Sequence, residues 1–210
     1  MSRGIAGLYA ITPDTDDTSD LLAKVEAALA GGARLLQYRN KTASAALRLV
    51  QARALLALCW EYQVPLIIND HLDLALALDT HLHLGAEDGQ LAEARARLGP
   101  GKILGASCYR SIDTALEAQK AGADYVAFGG FFPSTVKPGM AARTPLALLQ
   151  EARQRISVPV VAIGGITVEN APQLIGAGAN SVAVITALFG APDVRATARD
   201  FAALFPRHDK

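Results

Sequence analysis

Val64-Pro65-Leu66-Ile67-Ile68-Asn69-Asp70 is a short apolar run that stops at an amide and a carboxylate. A run without polar alternation is the pattern of a parallel strand buried on both faces, with chemistry placed at its carboxyl end. His81-Leu82-His83-Leu84-Gly85-Ala86-Glu87-Asp88 has the same form, with Asp88 shortly after the stop. Asp70 and Asp88, at the ends of neighbouring parallel strands, are placed to converge on one hard cation. Magnesium suits such a pair, because it prefers oxygen ligands and binds carboxylates together with substrate phosphates. Taken alone, the two residues are equally consistent with solvated loop aspartates.

Working outward, strand and helix signals alternate along the whole chain. Strands are expected at 5–11 and 34–38, up to Asp70, up to about Leu84, and at 103–107, 125–128, 159–163 and 181–185. Helices are expected at about 18–31, 44–62, 72–78, 91–98, 111–121, 146–156, 168–177 and 194–204. The caps fit: Asp16-Asp17-Thr18-Ser19 and Ser111 open helices, and Gly31 closes one. A weak repeat, Gly32-Ala33-Arg34-Leu35, Gly122-Ala123-Asp124-Tyr125 and Gly178-Ala179-Asn180-Ser181, puts a helix-ending glycine before a strand. Eight such units close most naturally into a (β/α)8 TIM barrel, an α/β fold. An open doubly wound sheet is the alternative, but no Gly-x-Gly-x-x-Gly follows the first strand. The expectation is one domain over 1–210 with a loose tail from about 206.

Composition narrows the function. The chain is 51% hydrophobic but only 6% aromatic, so its core is built from Ala, Leu, Val and Ile. The formal net charge is zero and there is no basic stripe, which argues against nucleic acid. No apolar run reaches the length of a membrane span, and 1–11 does not read as a signal peptide. Two cysteines, Cys59 and Cys108, make no disulfide framework, so a cytoplasmic setting is expected.

In a barrel, function collects on the loops after the strands. After the second come Gln37, Arg39 and Lys41, which alternation puts on one side if the strand extends that far. An amide and two cations suit a phosphate, although a solvated basic turn would look the same. After the sixth, Gly129-Gly130-Phe131-Phe132-Pro133-Ser134-Thr135-Val136-Lys137-Pro138-Gly139 is long for a short barrel and carries two hydroxyls and a lysine. Gly164-Gly165 after the seventh lets a ligand approach the backbone closely, although packing alone would also explain the pair. Ile185-Thr186-Ala187-Leu188 after the eighth reads as one helical turn whose free N–H groups would face an anion. His81 and His83 could suggest zinc, but further ligands at other strand ends are lacking, and both are expected to be structural. Two carboxylates, several cations and a second anion pocket make a site for two phosphorylated ligands, one charged enough to need magnesium.

At these strand ends the chain resembles the thiamine-phosphate synthase family. The matching motifs, in order, are Tyr9-Ala10-Ile11-Thr12, Gln37-Tyr38-Arg39-Asn40-Lys41, Ile67-Ile68-Asn69-Asp70, His83-Leu84-Gly85-Ala86-Glu87-Asp88, Gly105-Ala106-Ser107, Phe132-Pro133-Ser134-Thr135-Val136-Lys137, Ile163-Gly164-Gly165-Ile166 and Val184-Ile185-Thr186-Ala187-Leu188. The resemblance implies a (β/α)8 barrel that condenses a hydroxymethylpyrimidine diphosphate with a thiazole phosphate, giving thiamine monophosphate and diphosphate. It implies that Asp70 and Asp88 bind Mg2+, and that Gln37, Tyr38, Arg39, Asn40, Lys41, Asn69, Ser107 and Lys137 bind the pyrimidine diphosphate. Lys137, Ser107, Arg39 and Lys41 among them would be catalytic. Ser134, Thr135, Val136, Gly165, Ile185 and Thr186 would hold the thiazole phosphate. The partners implied are two phosphorylated small molecules, with a homodimer left open. The family pattern Pro-Thr-x-Thr-Lys reads Pro133-Ser134-Thr135-Val136-Lys137 here, Tyr109 stands where a histidine is common, and Ala86 replaces a frequent glutamine. A related thiazole tautomerase would not need Asp88 and Lys137 together with Gln37 and Lys41. A barrel that only binds a thiamine precursor would not need the metal pair.

Overall fold

The run at 64–70 forms a strand buried on both faces, as its unbroken hydrophobicity requires. It is the third of eight: β1 (Gly7–Ile11), β2 (Leu35–Tyr38), β3 (Leu66–Asn69), β4 (His81–Leu84), β5 (Leu104–Tyr109), β6 (Tyr125–Gly129), β7 (Val160–Ile163) and β8 (Ser181–Val184). The computed structural model describes residues 4–85, 90–133 and 144–206. Neighbouring strands are all parallel, and β1 pairs with β8 from Gly7↔Ser181 to Ala10↔Val184, closing the barrel. The helices between them are α1 (Thr18–Ala30), α2 (Ala45–Glu61), α3 (Leu72–Ala77), α4 (Leu91–Leu98), α5 (Ile112–Lys120), α6 (Ala147–Arg155) and α7 (Ala171–Ala177). After β8 come the single turn α8 (Thr186–Phe189) and α9 (Val194–Ala203). The architecture is the expected (β/α)8 barrel.

Strand alternation sorts the core into two layers. Leu36, Ile68, Leu82, Val126, Ala162 and Val182 face the helices. Their neighbours Leu35, Ile67, Tyr125, Val161 and Ala183 join Tyr9 in a separate cluster that fills the barrel. Tyr9 on β1 meets Tyr125 on β6, strands that do not pair, so this contact crosses the interior. Polar residues face inward on β2, β4 and β5 towards the carboxyl ends of the strands, and so position the site.

The Gly-Ala repeat is a helix-stop device. Gly32, Gly122 and Gly178 have φ of 105°, 93° and 119°, which glycine adopts without cost. The following alanine donates back five residues in each case: Ala33 to Ala28, Ala123 to Ala118 and Ala179 to Leu174. Those bonds satisfy carbonyls that the helix end would otherwise leave open. Val64 to Cys59 and Thr80 to Ala75 repeat the pattern through Gln63 and Asp79, both left-handed without being glycine. At the other ends, Asp17, Ser44, Ser111 and Asp193 accept the N–H of Asp20, Leu47, Thr114 and Ala196. Such caps stabilise a helix by about 1 kcal/mol each.

Three boundaries differ from expectation by two residues or more, the first being β1, which begins at Gly7 rather than Ile5. The helix expected from 168 begins at Ala171, with Pro172 in its first turn, because Asn170 Oδ1 accepts from the Thr167 N–H and holds 167–170 as a turn. Strand β5 runs on to Tyr109, with a register shift between Ser107 and Tyr109 and Tyr109 at a φ of 49°. No helix among the described residues is long and apolar enough to cross a membrane.

Candidate active site

The loops after β1 and β2 are locked to each other. Thr12, fully buried, accepts from the Arg39 N–H and donates to the Arg39 carbonyl, both at 2.9 Å. Asp14 receives the Arg39 guanidinium through both carboxylate oxygens, at 3.0 and 3.1 Å. It also accepts the Lys41 N–H at 2.8 Å. Asp14, a residue the sequence did not single out, thus fixes the Arg39 guanidinium and the backbone of Lys41. Charge-assisted bonds of this kind are short and directional.

Within Gln37-Tyr38-Arg39-Asn40-Lys41, alternation separates the roles. Gln37 points into the barrel, where its Nε2 donates to the Tyr9 hydroxyl at 2.8 Å. Tyr38 points the opposite way and donates to Gln51 Oε1 on α2 at 2.8 Å. Asn40 is buried; its amide donates to the Thr15 carbonyl and to Gln51, and its oxygen accepts from Thr42 and Ala43. Tyr38 and Asn40, expected at the pyrimidine diphosphate, thus turn their side chains to protein partners. Both fasten the loop to α2, since a buried hydroxyl and a buried amide need partners and find them in the protein.

At the end of β3, Asp70 takes a left-handed φ of 65°, which aspartate tolerates better than most residues. Its N–H donates to the His83 carbonyl on β4, and its Oδ2 accepts from Asn69 Nδ2 at 2.5 Å. The Lys41 ammonium stands 3.6 Å from the same oxygen. A strand-end carboxylate is thereby brought beside the Lys41 ammonium of the second loop. Asp88, expected to be its companion, lies outside the described residues.

A hydrogen-bonded chain forms the floor of the site. Gln37 Nε2 meets Tyr9 OH, Tyr9 OH lies 2.7 Å from Tyr125 OH, and Tyr125 OH lies 2.8 Å from His83 Nδ1. His83 Nε2 then lies 2.9 Å from Ser107 Oγ. Burial raises the pKa of both Tyr9 and Tyr125, so both phenols keep their protons. The chain links two expected site residues, Gln37 and Ser107, through Tyr9 and Tyr125, which composition and spacing did not flag, and through His83. His81 behaves as expected: its Nδ1 accepts the Ile103 N–H at the amino end of β4. His83, also expected to be structural, instead bonds directly to a candidate substrate contact.

On the other side, Gly164 and Gly165 at φ of 111° and 63° receive the start of the loop after β6. Gly130 N–H donates to the Ile163 carbonyl and Phe132 N–H to Gly164, while Thr144 N–H returns to Gly130. A Cβ at Gly165 would collide with the carbonyls of Phe132 and Pro133. Protein backbone, the packing alternative, thus makes a close approach to the glycine pair. Phe131, at the start of that loop, is buried in the outer core. Ser134, Thr135, Val136 and Lys137 lie outside the described residues. Ile185 and Thr186 open α8 as predicted, with the Phe189 N–H on the Ile185 carbonyl.

At the β3 end the donor is the Asp70 carboxylate, to which Asn69 turns its amide nitrogen and which an ammonium already approaches. That is the chemistry of a hard cation bound with phosphates, and it fits magnesium. Among the described residues no group of three or more His, Cys, Asp or Glu side chains is placed to hold a metal by itself.

Fold and site together define a (β/α)8-barrel enzyme whose polar, cation-bearing residues gather at the carboxyl ends of the strands. The sequence matches the profile of the thiamine monophosphate synthase family over residues 8–188. It is 57% identical over 200 residues to a thiamine-phosphate synthase of Thiobacillus denitrificans, covering 95% of this chain and 94% of that one. It is 56% identical over 202 residues to that of Methylobacillus flagellatus, covering 96% of each. A solved thiamine phosphate pyrophosphorylase from Pyrococcus furiosus superposes with a TM-score of 0.85 at 36% identity, over 96% of both chains. The chain belongs to the thiamine monophosphate synthase family, and its activity is the transferase reaction of that family, thiamine-phosphate synthesis.

Proposed function

We propose that the protein joins 4-amino-2-methyl-5-(diphosphooxymethyl)pyrimidine to 4-methyl-5-(2-phosphooxyethyl)thiazole in two steps, with magnesium held by Asp70 and Asp88. In the first, the bond from the pyrimidine methylene to oxygen breaks and its electron pair leaves with the diphosphate. In the second, the thiazole nitrogen attacks the methylene cation and forms the new C–N bond, giving thiamine monophosphate. When bound, magnesium neutralises charge on the departing diphosphate. Arg39, Lys41 and Lys137 hold the diphosphate and stabilise the charge that develops on it. Gln37, Asn69 and Ser107 orient the pyrimidine so that its methylene faces the thiazole. Ser134, Thr135 and Val136, with the backbone at Gly165, Ile185 and Thr186, hold the thiazole phosphate. A cytoplasmic enzyme acting on two phosphorylated small molecules fits these assignments.

The observation that carries this reading is the pairing of Lys41 with the strand-end carboxylate of Asp70, in a loop where Asp14 holds the Arg39 guanidinium and the Lys41 N–H. Its test is equilibrium binding of the pyrimidine diphosphate to wild type and to Lys41→Ala, with magnesium and with a chelator. Affinity should fall about tenfold or more on losing either the metal or the lysine. Equal affinity in all four cases would overturn it.

A further inference from the structure

The floor chain has two internally consistent senses, because each phenol both donates and accepts and a neutral imidazole donates at only one nitrogen. In one sense Gln37 Nε2 donates to Tyr9, Tyr9 to Tyr125, Tyr125 to His83 Nδ1, and His83 Nε2–H to Ser107. Gln37 then keeps its carbonyl for the site, and Ser107 has its own hydrogen to give. In the other sense every bond reverses; Gln37 offers N–H groups and Ser107 spends its hydrogen on His83. The amide nitrogen of Gln37 lies on Tyr9, which is the first sense.

We propose that Tyr9, Tyr125 and His83 are positioning residues: they tie the amide of Gln37 to the hydroxyl of Ser107, so that the floor presents one acceptor and one donor together. A heterocycle with an amine donor next to a ring-nitrogen acceptor matches that pattern. A heterocycle with a carbonyl next to a ring N–H would need both ends reversed. The device selects aminopyrimidines over oxopyrimidines, and this part rests on the reading above that Gln37 and Ser107 face the pyrimidine. Chains of hydrogen bonds also polarise one another, which strengthens the preference for one sense.

The first test is the 15N spectrum of His83 in the ligand-free wild-type protein, which reports the imidazole tautomer directly. The expected form is Nε2–H; an Nδ1–H form overturns the proposal, and no variant has to fold for this result. Tyr125→Phe removes the donor to Nδ1 and should convert His83 to a mixture of tautomers, whereas an unchanged spectrum overturns the linkage. The second test compares binding of the aminopyrimidine diphosphate with its 4-oxo analogue. Tyr125→Phe should reduce wild-type discrimination about tenfold. A folding effect alone would weaken both ligands equally and would overturn the proposal. If Gln37→Ala binds the aminopyrimidine diphosphate as tightly as wild type, the placement of Gln37 at the pyrimidine fails, and with it the selectivity, whichever tautomer His83 shows.

Discussion

Gly105 on β5 makes room for the ring of Tyr125 on β6: a Cβ at position 105 would fall on the hydroxyl edge of that ring. The space matters because this hydroxyl edge bonds both Tyr9 and His83. Gly105→Ala should therefore overpack the barrel by about 1–3 kcal/mol and displace Tyr125 from the floor. Thermal unfolding should register the lost stability, and turnover should fall by more than the unfolded fraction explains. A variant of wild-type stability and turnover would show that the ring is not held by this space.

Asp14 anchors both Arg39 and Lys41. Asp14→Ala should raise KM for the pyrimidine diphosphate about tenfold or more, with a smaller effect on the thiazole phosphate. Asp14→Asn keeps an acceptor for the Lys41 N–H and should be milder. Steady-state kinetics with each substrate varied in turn would check this, and an unchanged KM in Asp14→Ala would contradict it.

Burial raises the thiols of Cys59 and Cys108 from 9.0 to about 12, and the Tyr38 phenol to about 12. Tyr9 and Tyr125 shift in the same direction, again by burial. These acids ionise more readily in the unfolded chain. Their contribution is full below the unfolded value and is lost as pH rises towards the folded one. Stability should therefore decline above about pH 9, by roughly 1 kcal/mol per pH unit for each thiol. Urea midpoints at about pH 8 and about pH 10.5 would show the decline. The Cys59→Ala, Cys108→Ala double variant should show a shallower one, and identical slopes would refute the thiol part.

The barrel was legible because most strands are short and largely apolar and because three helix stops carry the same Gly-Ala signal. The other two stops, at Gln63 and Asp79, were hidden because a left-handed residue other than glycine leaves no compositional mark. Asn69 and Asp70 were legible as polar residues ending such a run. Tyr9 and Tyr125 were not: on a strand an aromatic residue reads as core, and their hydroxyls meet only once β1 and β6 face each other across the closed barrel. Asp14 was hidden for a similar reason, since its partners lie 25 and 27 residues away in another loop. Tyr38 and Asn40 sat inside a matching motif, yet alternation and burial turn them towards α2. A motif marks a segment, and the pleat decides which of its side chains reach the site.

Asp70→Asn keeps the shape of the β3 end but removes the charge that faces Lys41. Turnover should fall at least a hundredfold while the thiazole phosphate still binds with near wild-type affinity. Calorimetric titration with the thiazole phosphate would establish the second half. Equal loss of both would place Asp70 in the fold rather than at the metal.

The most direct measurement is thiamine monophosphate formation by the purified protein from both precursors, first with magnesium and then with excess chelator. Product formed with magnesium and abolished by the chelator, with restoration on adding the metal back, is the result expected from Asp70 and Asp88 acting together on a departing diphosphate. Product formed at the same rate in chelator would contradict the metal assignment at its centre.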